Sequence, residues 1–167
     1  DFCLSRGLGD VYKRQGIIRA VISNLRSQNV VEGGSTITQQ VARILFLKQE
    51  KTFWRKLKEV RLAQKIEREL TKDQILERYL NLVYLGSGAY GVGDAAWVYF
   101  SKSVDQLSLS EMATLAGLAP APNFYAPDKN PKIATERRNL VLQRMEEDGI
   151  ITAAEKQTAS QEALTIN

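Results

Sequence analysis

The segment GGSTITQQ at residues 33–40 has the composition of a loop that brings backbone close to a ligand. Its two glycines allow close approach, and the hydroxyls and free N–H groups at the start of the next helix favour an anion such as phosphate. Thr36 and Gln39 also fit a capping box, so an ordinary capped helix after a turn explains much of the same composition. Gln39 and Gln40, however, point in different directions around a helix, and capping alone does not explain them.

A second cluster, RKLKE at residues 55–59, places a carboxylate beside two cations. In a helix, Arg55 and Lys56 lie on the same face as Glu59, about one turn before it. Glu59 is therefore a candidate anionic stabiliser or proton acceptor beside a phosphate-binding surface. The alternative is an ordinary surface ion pair, which contributes only ~0.3–0.5 kcal/mol.

Several kinds of active site are excluded by the residue types that the sequence lacks. Histidine is absent, and Cys3 is the single cysteine. Ser-His-Asp and Cys-His catalysis, histidine-ligated metals and cysteine-based zinc sites are therefore excluded. Catalysis by this chain has to use carboxylates, amines, guanidinium groups, hydroxyls or amides.

Positive charge is concentrated in the first part of the sequence. Residues 1–72 contain 15 Lys/Arg and 7 Asp/Glu, whereas residues 73–167 contain 8 and 12. The basic part is consistent with an anionic partner such as nucleic acid, phospholipid or a phosphorylated substrate, and equally with a solvated helix surface.

The elements that position these residues are predicted to be helices in an all-α fold. Apolar residues recur at three- and four-residue steps from Ile17 onward, and no convincing strand alternation occurs. Capping boxes predict helix starts at Thr36, Thr71, Ser108 and Thr152. The apolar residues predicted to face the core after Thr36 are Ile37, Val41, Ile44 and Leu45.

Three segments depart from the helical pattern. Residues 86–93 match G-x-G-x-x-G, but a helix rather than a strand precedes them, which favours a helix stop and a loop over a dinucleotide site. Asp94 is then predicted to cap the next helix. All four prolines fall within residues 120–131, which predicts a long Pro-rich surface loop with few packed contacts. Residues 1–15 have no clear period and are predicted to be a non-native or disordered leader.

Four blocks of the sequence, taken in order, resemble the motifs of the peptidoglycan glycosyltransferase domain, glycosyltransferase family 51. This domain is the transglycosylase module of class A penicillin-binding proteins and of monofunctional peptidoglycan transglycosylases. The blocks are GGSTITQQ at 33–40, RKLKE at 55–59, KDQILERYLN at 72–81 and RRNLVL at 137–142. The resemblance implies one lysozyme-like helical domain over residues 16–167.

The resemblance also implies an enzyme that polymerises lipid II into glycan strands in bacterial cell-wall synthesis. The growing chain on its lipid pyrophosphate would be the donor, and the 4-hydroxyl of incoming lipid II the acceptor. The implied location is the extracytoplasmic face of the plasma membrane, where the domain would contact the membrane surface. A C-terminal transpeptidase domain in the full-length parent is compatible with this family. The one cofactor implied is a divalent cation, Mg²⁺ or Mn²⁺, accompanying the pyrophosphate.

Individual residues receive expected roles from the same motifs. Glu59 matches the second family glutamate, which assists the leaving group or binds the metal. Arg43 stands where the family usually has lysine, and Lys51 where it usually has arginine; both keep the charge and change the hydrogen-bond geometry. The residues expected to bind the donor sugar and pyrophosphate are Ser35, Thr36, Gln39, Gln40, Arg43, Lys51, Arg55 and Lys56. The residues expected to support the cleft structurally are Gly33, Gly34, Asn81 and Arg138.

The sequence departs from the family pattern before residue 16. The first family block, E-D-x-x-F followed by H-x-G, carries the glutamate taken as the general base. Residues 1–15 contain no such block, and their only acids are Asp1 and Asp10. The membrane anchor that usually precedes the block is absent from this chain as well. We therefore expect a truncated member that is inactive or weak in polymerisation.

Two other functions are compatible with the same residues. A non-catalytic module that binds an undecaprenyl-linked pyrophosphate would keep the basic cleft without the base. A lysozyme-like hydrolase needs two carboxylates about 5–10 Å apart, and Glu67, ~12 Å from Glu59 along one helix, is a poor partner. Nucleic-acid binding is disfavoured, because the basic segments lack interleaved aromatic residues.

Overall fold

The structure, a computed structural model, describes residues 36–46 and 53–166. The first four helices in these ranges are α1 Ile37–Phe46, α2 Phe53–Glu69, α3 Lys72–Leu82 and α4 Gly91–Phe100. A 3-10 turn at Val104–Gln106 precedes α5 Leu109–Leu118, α6 Pro122–Tyr125, α7 Pro131–Glu147 and α8 Ala153–Gln161. Within these ranges no β-strand occurs, only an isolated bridge between Tyr84 and Tyr90, so the prediction of an all-α fold is confirmed.

Some of the sequence-based predictions fall on residues outside these ranges. They are the leader over residues 1–15, the helix from Ile17, and the site residues Gly33, Gly34, Ser35 and Lys51. Each of these stays a prediction from the sequence.

Three of the predicted capping boxes are complete. The pairs are Thr71 with Gln74, Ser108 with Glu111 and Thr152 with Glu155. In each pair the hydroxyl of the first residue accepts from the backbone N–H of the second, and the side chain of the second accepts from the backbone N–H of the first. At Thr36 one half is present: the backbone N–H of Gln39 donates to the Thr36 hydroxyl at 3.2 Å. The caps satisfy N–H groups that a helix leaves without partners in its first turn.

Helix α5 is the most buried element of the described chain. Every residue from Ser110 to Leu118 is buried, and α7 packs along it. Close packing depends on small side chains such as Gly117, where a Cβ would lie 3.3 Å from the Cβ of Arg137. Helix α1 packs against both α2 and α3, with Val41 and Ala42 fully buried.

The glycine loop between α3 and α4 requires glycine where two backbones meet. Gly91 has a φ of +82°, and a Cβ there would lie 2.5 Å from the backbone oxygen of Asn81. Its N–H donates to the carbonyl of Val83 at 2.7 Å. Helix α4 starts at Gly91, so the prediction that Asp94 caps it is wrong: Asp94 lies inside the first turn.

The Pro-rich segment is more ordered than the sequence suggests. Pro122 is the first residue of the one-turn helix α6, and Ala126 is fully buried. The Tyr84 hydroxyl donates to Asn123 Oδ1 at 2.9 Å, and the Arg137 guanidinium lies 4.7 Å from the Tyr125 ring centroid. The expectation of few packed contacts is therefore wrong, because Ala126 is buried, Tyr125 packs against the core, and Tyr84 and Arg137 contact the segment.

The inner face predicted for α1 is only half correct. Val41 is buried and Ile37 is partly buried, whereas Ile44 and Leu45 are exposed. The helix contacts its partners through its first two turns, and its last residues carry exposed apolar side chains.

Candidate active site

Three successive residues in the first turn of α1 each bond to a different part of the fold. Thr38 Oγ1 donates to Glu67 Oε1 at 2.7 Å, Lys56 Nζ donates to Gln39 Oε1 at 3.1 Å, and the Tyr79 hydroxyl donates to Gln40 Oε1 at 3.4 Å. Successive residues of a helix point about 100° apart, which is how one turn reaches three partners. This arrangement explains the two adjacent glutamines that capping did not.

Lys56 joins two of the sequence blocks in one polar site. Its ammonium lies 3.1 Å from Gln39 Oε1 and 2.6 Å from Glu59 Oε1. The Glu59 residue is 1% exposed, whereas the Lys56 side chain is 46% exposed. The carboxylate therefore lies beneath an ammonium that reaches solvent, and pairing of this kind is what makes a buried carboxylate tolerable. Gln39, Lys56 and Glu59 are joined by these contacts, and together with Gln40, which the resemblance assigns to donor binding, they are taken as the candidate site.

Tyr79 was not predicted as a site residue, and the structure places its hydroxyl against Gln40. Burial raises the pKa of Tyr79 to about 12, although the nearby positive charge of Arg43 opposes the shift. The hydroxyl therefore stays protonated at neutral pH and donates to the Gln40 amide. Arg43 itself is an exposed cation in the last turn of α1.

Glu67 was considered in the sequence only as a poor catalytic partner for Glu59. It accepts hydrogen bonds from Thr38 and, at 3.1 Å, from Lys72 Nζ. These two bonds, Thr38 first, lower the pKa of Glu67. The carboxylate is thus engaged with α1 and α3, which gives no support to a two-carboxylate hydrolase.

The other predicted site residues differ in how directly they meet the candidate site. Thr36 is exposed at the start of α1, and Arg55 is half-buried immediately before Lys56 on α2. Asn81 has an exposed side chain, and its backbone contributes the close contact with Gly91.

Arg138 supports a different part of the described fold. It is 2% exposed and donates to Ser110 Oγ and to the backbone oxygens of Ser160 and Glu162 at 2.7–3.0 Å. Burial lowers the pKa of this guanidinium. These bonds tie α7 to α5 and to the end of α8, so a contribution of Arg138 to the cleft stays a prediction.

Among the described residues, no group of three or more acidic, cysteine or histidine side chains is arranged to hold a metal ion. Glu59 is a carboxylate in direct contact with one predicted phosphate-binding residue, Lys56. Magnesium is often held by one or two carboxylates together with the substrate's phosphates, so the donor set fits a cation that the substrate brings with it.

Exposed apolar side chains lie at the end of α1 and the start of α2. They are Ile44, Leu45, Phe46, Trp54 and Leu57. Of the helices in the described ranges, none has the length and apolar character needed to span a bilayer.

Comparison with known proteins matches both the sequence and the fold. The profile of the transglycosylase family matches residues 11–146. Penicillin-binding protein 1A of Aquifex aeolicus is 55% identical over 150 residues, which cover 90% of this chain and 21% of that protein. A Cupriavidus necator protein provisionally named a transglycosylase is 50% identical over 151 residues, covering 90% of this chain and 65% of that protein.

A solved structure agrees with these sequence matches. The crystal structure of penicillin-binding protein 1A from Haemophilus influenzae aligns with a TM-score of 0.61 and 30% identity, covering 92% of this chain and 17% of that one. The chain thus spans about a fifth of the penicillin-binding relatives that it matches. The helical fold agrees with that of the matched part of this relative. The chain belongs to the transglycosylase family.

Proposed function

We propose that this chain binds the lipid-linked pyrophosphate donor of peptidoglycan synthesis, as part of a glycosyltransferase that polymerises lipid II into glycan strands. The observation that carries the proposal is the position of Lys56, whose ammonium contacts Gln39 and Glu59 together. A half-exposed cation that a buried carboxylate and an amide hold in place is suited to an anionic pyrophosphate.

The proposed reaction transfers the growing glycan from its lipid pyrophosphate to lipid II. The 4-hydroxyl oxygen of the acceptor forms a bond to the anomeric carbon of the donor, with inversion, while the bond from that carbon to the phosphate oxygen breaks. The lipid pyrophosphate leaves with an added negative charge, and the acceptor's proton passes to a base. Fixed cations beside the leaving group stabilise that charge in the transition state. Lys56, Arg43 and Arg55 supply them.

Glu59 assists this departure in the proposal by holding Lys56 in place. Its buried carboxylate fixes the ammonium before substrate arrives, so little rearrangement is needed during the reaction. Mg²⁺ or Mn²⁺, when bound, would be held by Glu59 and the pyrophosphate oxygens and would supply further positive charge.

The acceptor's proton needs a base, and residues 1–15 contain no glutamate. General-base catalysis contributes roughly 10²–10⁴-fold. We therefore propose that the 167-residue chain binds the donor but elongates glycan weakly or not at all. The second candidate function is a non-catalytic module that binds an undecaprenyl-linked pyrophosphate. Under that hypothesis the full-length parent of this chain would not elongate glycan either.

The apolar side chains at the end of α1 and the start of α2 support contact with a membrane surface. Phe46 and Trp54 are 59% and 71% exposed, and basic residues surround them in the sequence. Exposed apolar groups with basic neighbours favour an anionic lipid surface. We propose that the domain acts at the extracytoplasmic face of the plasma membrane and that its parent carries a transpeptidase domain.

The test is to measure binding of fluorescent lipid II in detergent micelles, and glycan polymerisation, with the same 167-residue chain. Saturable binding with polymerisation at least ~100-fold below an intact family member is expected. Undetectable binding would contradict the proposed donor site. Polymerisation at the rate of the intact relative would contradict the proposal that the base is missing.

A further inference from the structure

We propose that Glu67 is a positioning residue, which acts through Thr38 to fix the rotation of α1 and thereby the two glutamines of the candidate site. The inference rests on the proposed function, in which Gln39 and Gln40 bind the donor. Neither Thr38 nor Glu67 is part of the candidate site.

The contact between Thr38 and Glu67 links three helices. Thr38 is 3% exposed, and its hydroxyl donates to Glu67 Oε1 at 2.7 Å. Lys72, the first residue of α3, donates to the same oxygen at 3.1 Å. One carboxylate oxygen of α2 thus receives a donor from α1 and a donor from α3. Bonds to an ionised acceptor are shorter and stronger than neutral ones, so this contact constrains α1 more than a neutral bond would.

Thr38 is suited to setting the rotation of α1 because its side chain is short. Its hydroxyl sits on Cβ, so the bond to Glu67 fixes the backbone directly, whereas the long side chains of Gln39 and Gln40 can adjust. The bond from Tyr79 to Gln40 is already long at 3.4 Å. A small rotation of α1 would break it and would move Gln39 away from Lys56.

The test compares variants that remove or keep the hydroxyl. Thr38→Val removes it at nearly constant shape, Thr38→Ser keeps it, and Glu67→Ala removes the acceptor. Glu69→Gln, on the same helix and in an exposed ion pair with Lys65 at 4.0 Å, is the matched control. We expect Thr38→Val and Glu67→Ala to weaken binding of fluorescent lipid II about 3- to 10-fold, and Thr38→Ser and Glu69→Gln to bind like wild type.

Two further readouts separate positioning from a general loss of stability. The double variant Thr38→Val/Glu67→Ala should bind lipid II with the same affinity as whichever single variant binds more weakly, because the two residues act through one contact. Amide hydrogen exchange should accelerate over residues 39–42 and stay unchanged in α5 and α7. Wild-type affinity in Thr38→Val, equal loss in Thr38→Ser, or additive losses in the double variant would overturn the inference.

The same measurements distinguish this inference from the proposed function. If the wild-type chain does not bind lipid II, the proposed function fails, and the exchange experiment alone decides on the positioning contact. Faster exchange confined to the start of α1 would then support it, and exchange that is unchanged or faster throughout the chain would overturn it.

Discussion

Lys56 has a double role, because it meets solvent and also covers a buried carboxylate. Replacing it by alanine removes a cation from the proposed donor site and leaves Glu59 without this ammonium. We expect Lys56→Ala to weaken lipid II binding about tenfold or more and to lower the free energy of unfolding by about 1–2 kcal/mol. Fluorescence binding and urea denaturation measure the two effects.

Lys58 offers the matched control for that prediction. It is exposed on the same helix, two residues away, and has the same charge. Lys58→Ala should leave the free energy of unfolding unchanged. It should reduce lipid II binding only slightly, because it lowers the overall positive charge of the domain. Equal losses in the two variants would show that net charge, and not the position of Lys56, accounts for binding.

How much of the site the sequence could predict depends on the distance between partners along the chain. Lys56 and Glu59 are three residues apart on one helix, and helical periodicity alone brings them together. Tyr79 and Gln40 are 39 residues apart, and Glu67 and Thr38 are 29 apart. Those pairings depend on how α1 packs on α2 and α3, which local spacing does not encode.

At the scale of elements, the turn between α3 and α4 depends on one glycine. Gly91→Ala would place a Cβ 2.5 Å from the backbone oxygen of Asn81, at a φ of +82°. We expect a loss of about 2–4 kcal/mol in the free energy of unfolding, because both backbones have to shift. Thermal and urea denaturation followed by circular dichroism would measure it.

Gly93→Ala is the control in the same helix. A Cβ at Gly93 meets nothing within 4 Å, and its φ is not in the left-handed region. Alanine there should be neutral or stabilising by up to about 1 kcal/mol, because it has the higher helix propensity. A similar loss in both variants would mean that the close approach at Gly91 is not what requires glycine.

Local signals predicted where several helices begin, and the tertiary environment decided how the segments between them pack. The boxes at Thr71, Ser108 and Thr152 involve residues within one turn, so the sequence determines them. The Pro-rich segment has ordinary turn chemistry, yet Tyr84 and Arg137, both distant in sequence from their partners in it, contact its side chains. The exposure of Ile44 and Leu45 is likewise a result of tertiary packing, because the buried residues of α1 are Thr38, Val41 and Ala42.

At the scale of the whole molecule, acid should destabilise the fold through carboxylates that the native state keeps ionised. Hydrogen bonds lower the pKa of Glu67 and of Glu155 below the ordinary value of 4.5. The unfolded chain therefore binds more protons as pH falls, and the stability from these groups is present above about pH 4.5 and lost below it. The melting temperature should stay constant between pH 7 and about pH 5, and should decrease as the pH is lowered below about 5.

Glu155→Gln tests this sign, since an amide oxygen can still accept from Thr152 but does not titrate. Its melting temperature should fall less between pH 5 and pH 3 than that of wild type. A melting temperature that rises as pH falls through 4.5, or a wild-type slope in the variant, would contradict the assignment.

The most direct measurement of the central claim is to map where the pyrophosphate of lipid II lies on the chain. Lipid II with a photoreactive diazirine beside its pyrophosphate would be irradiated with the 167-residue chain, and the crosslinked peptides identified by mass spectrometry. We predict crosslinks within residues 36–46 and 53–59, lost on competition with unlabelled lipid II and reduced in Lys56→Ala. Competable crosslinks concentrated in α7 or α8, with those two segments unlabelled, would contradict the assigned site.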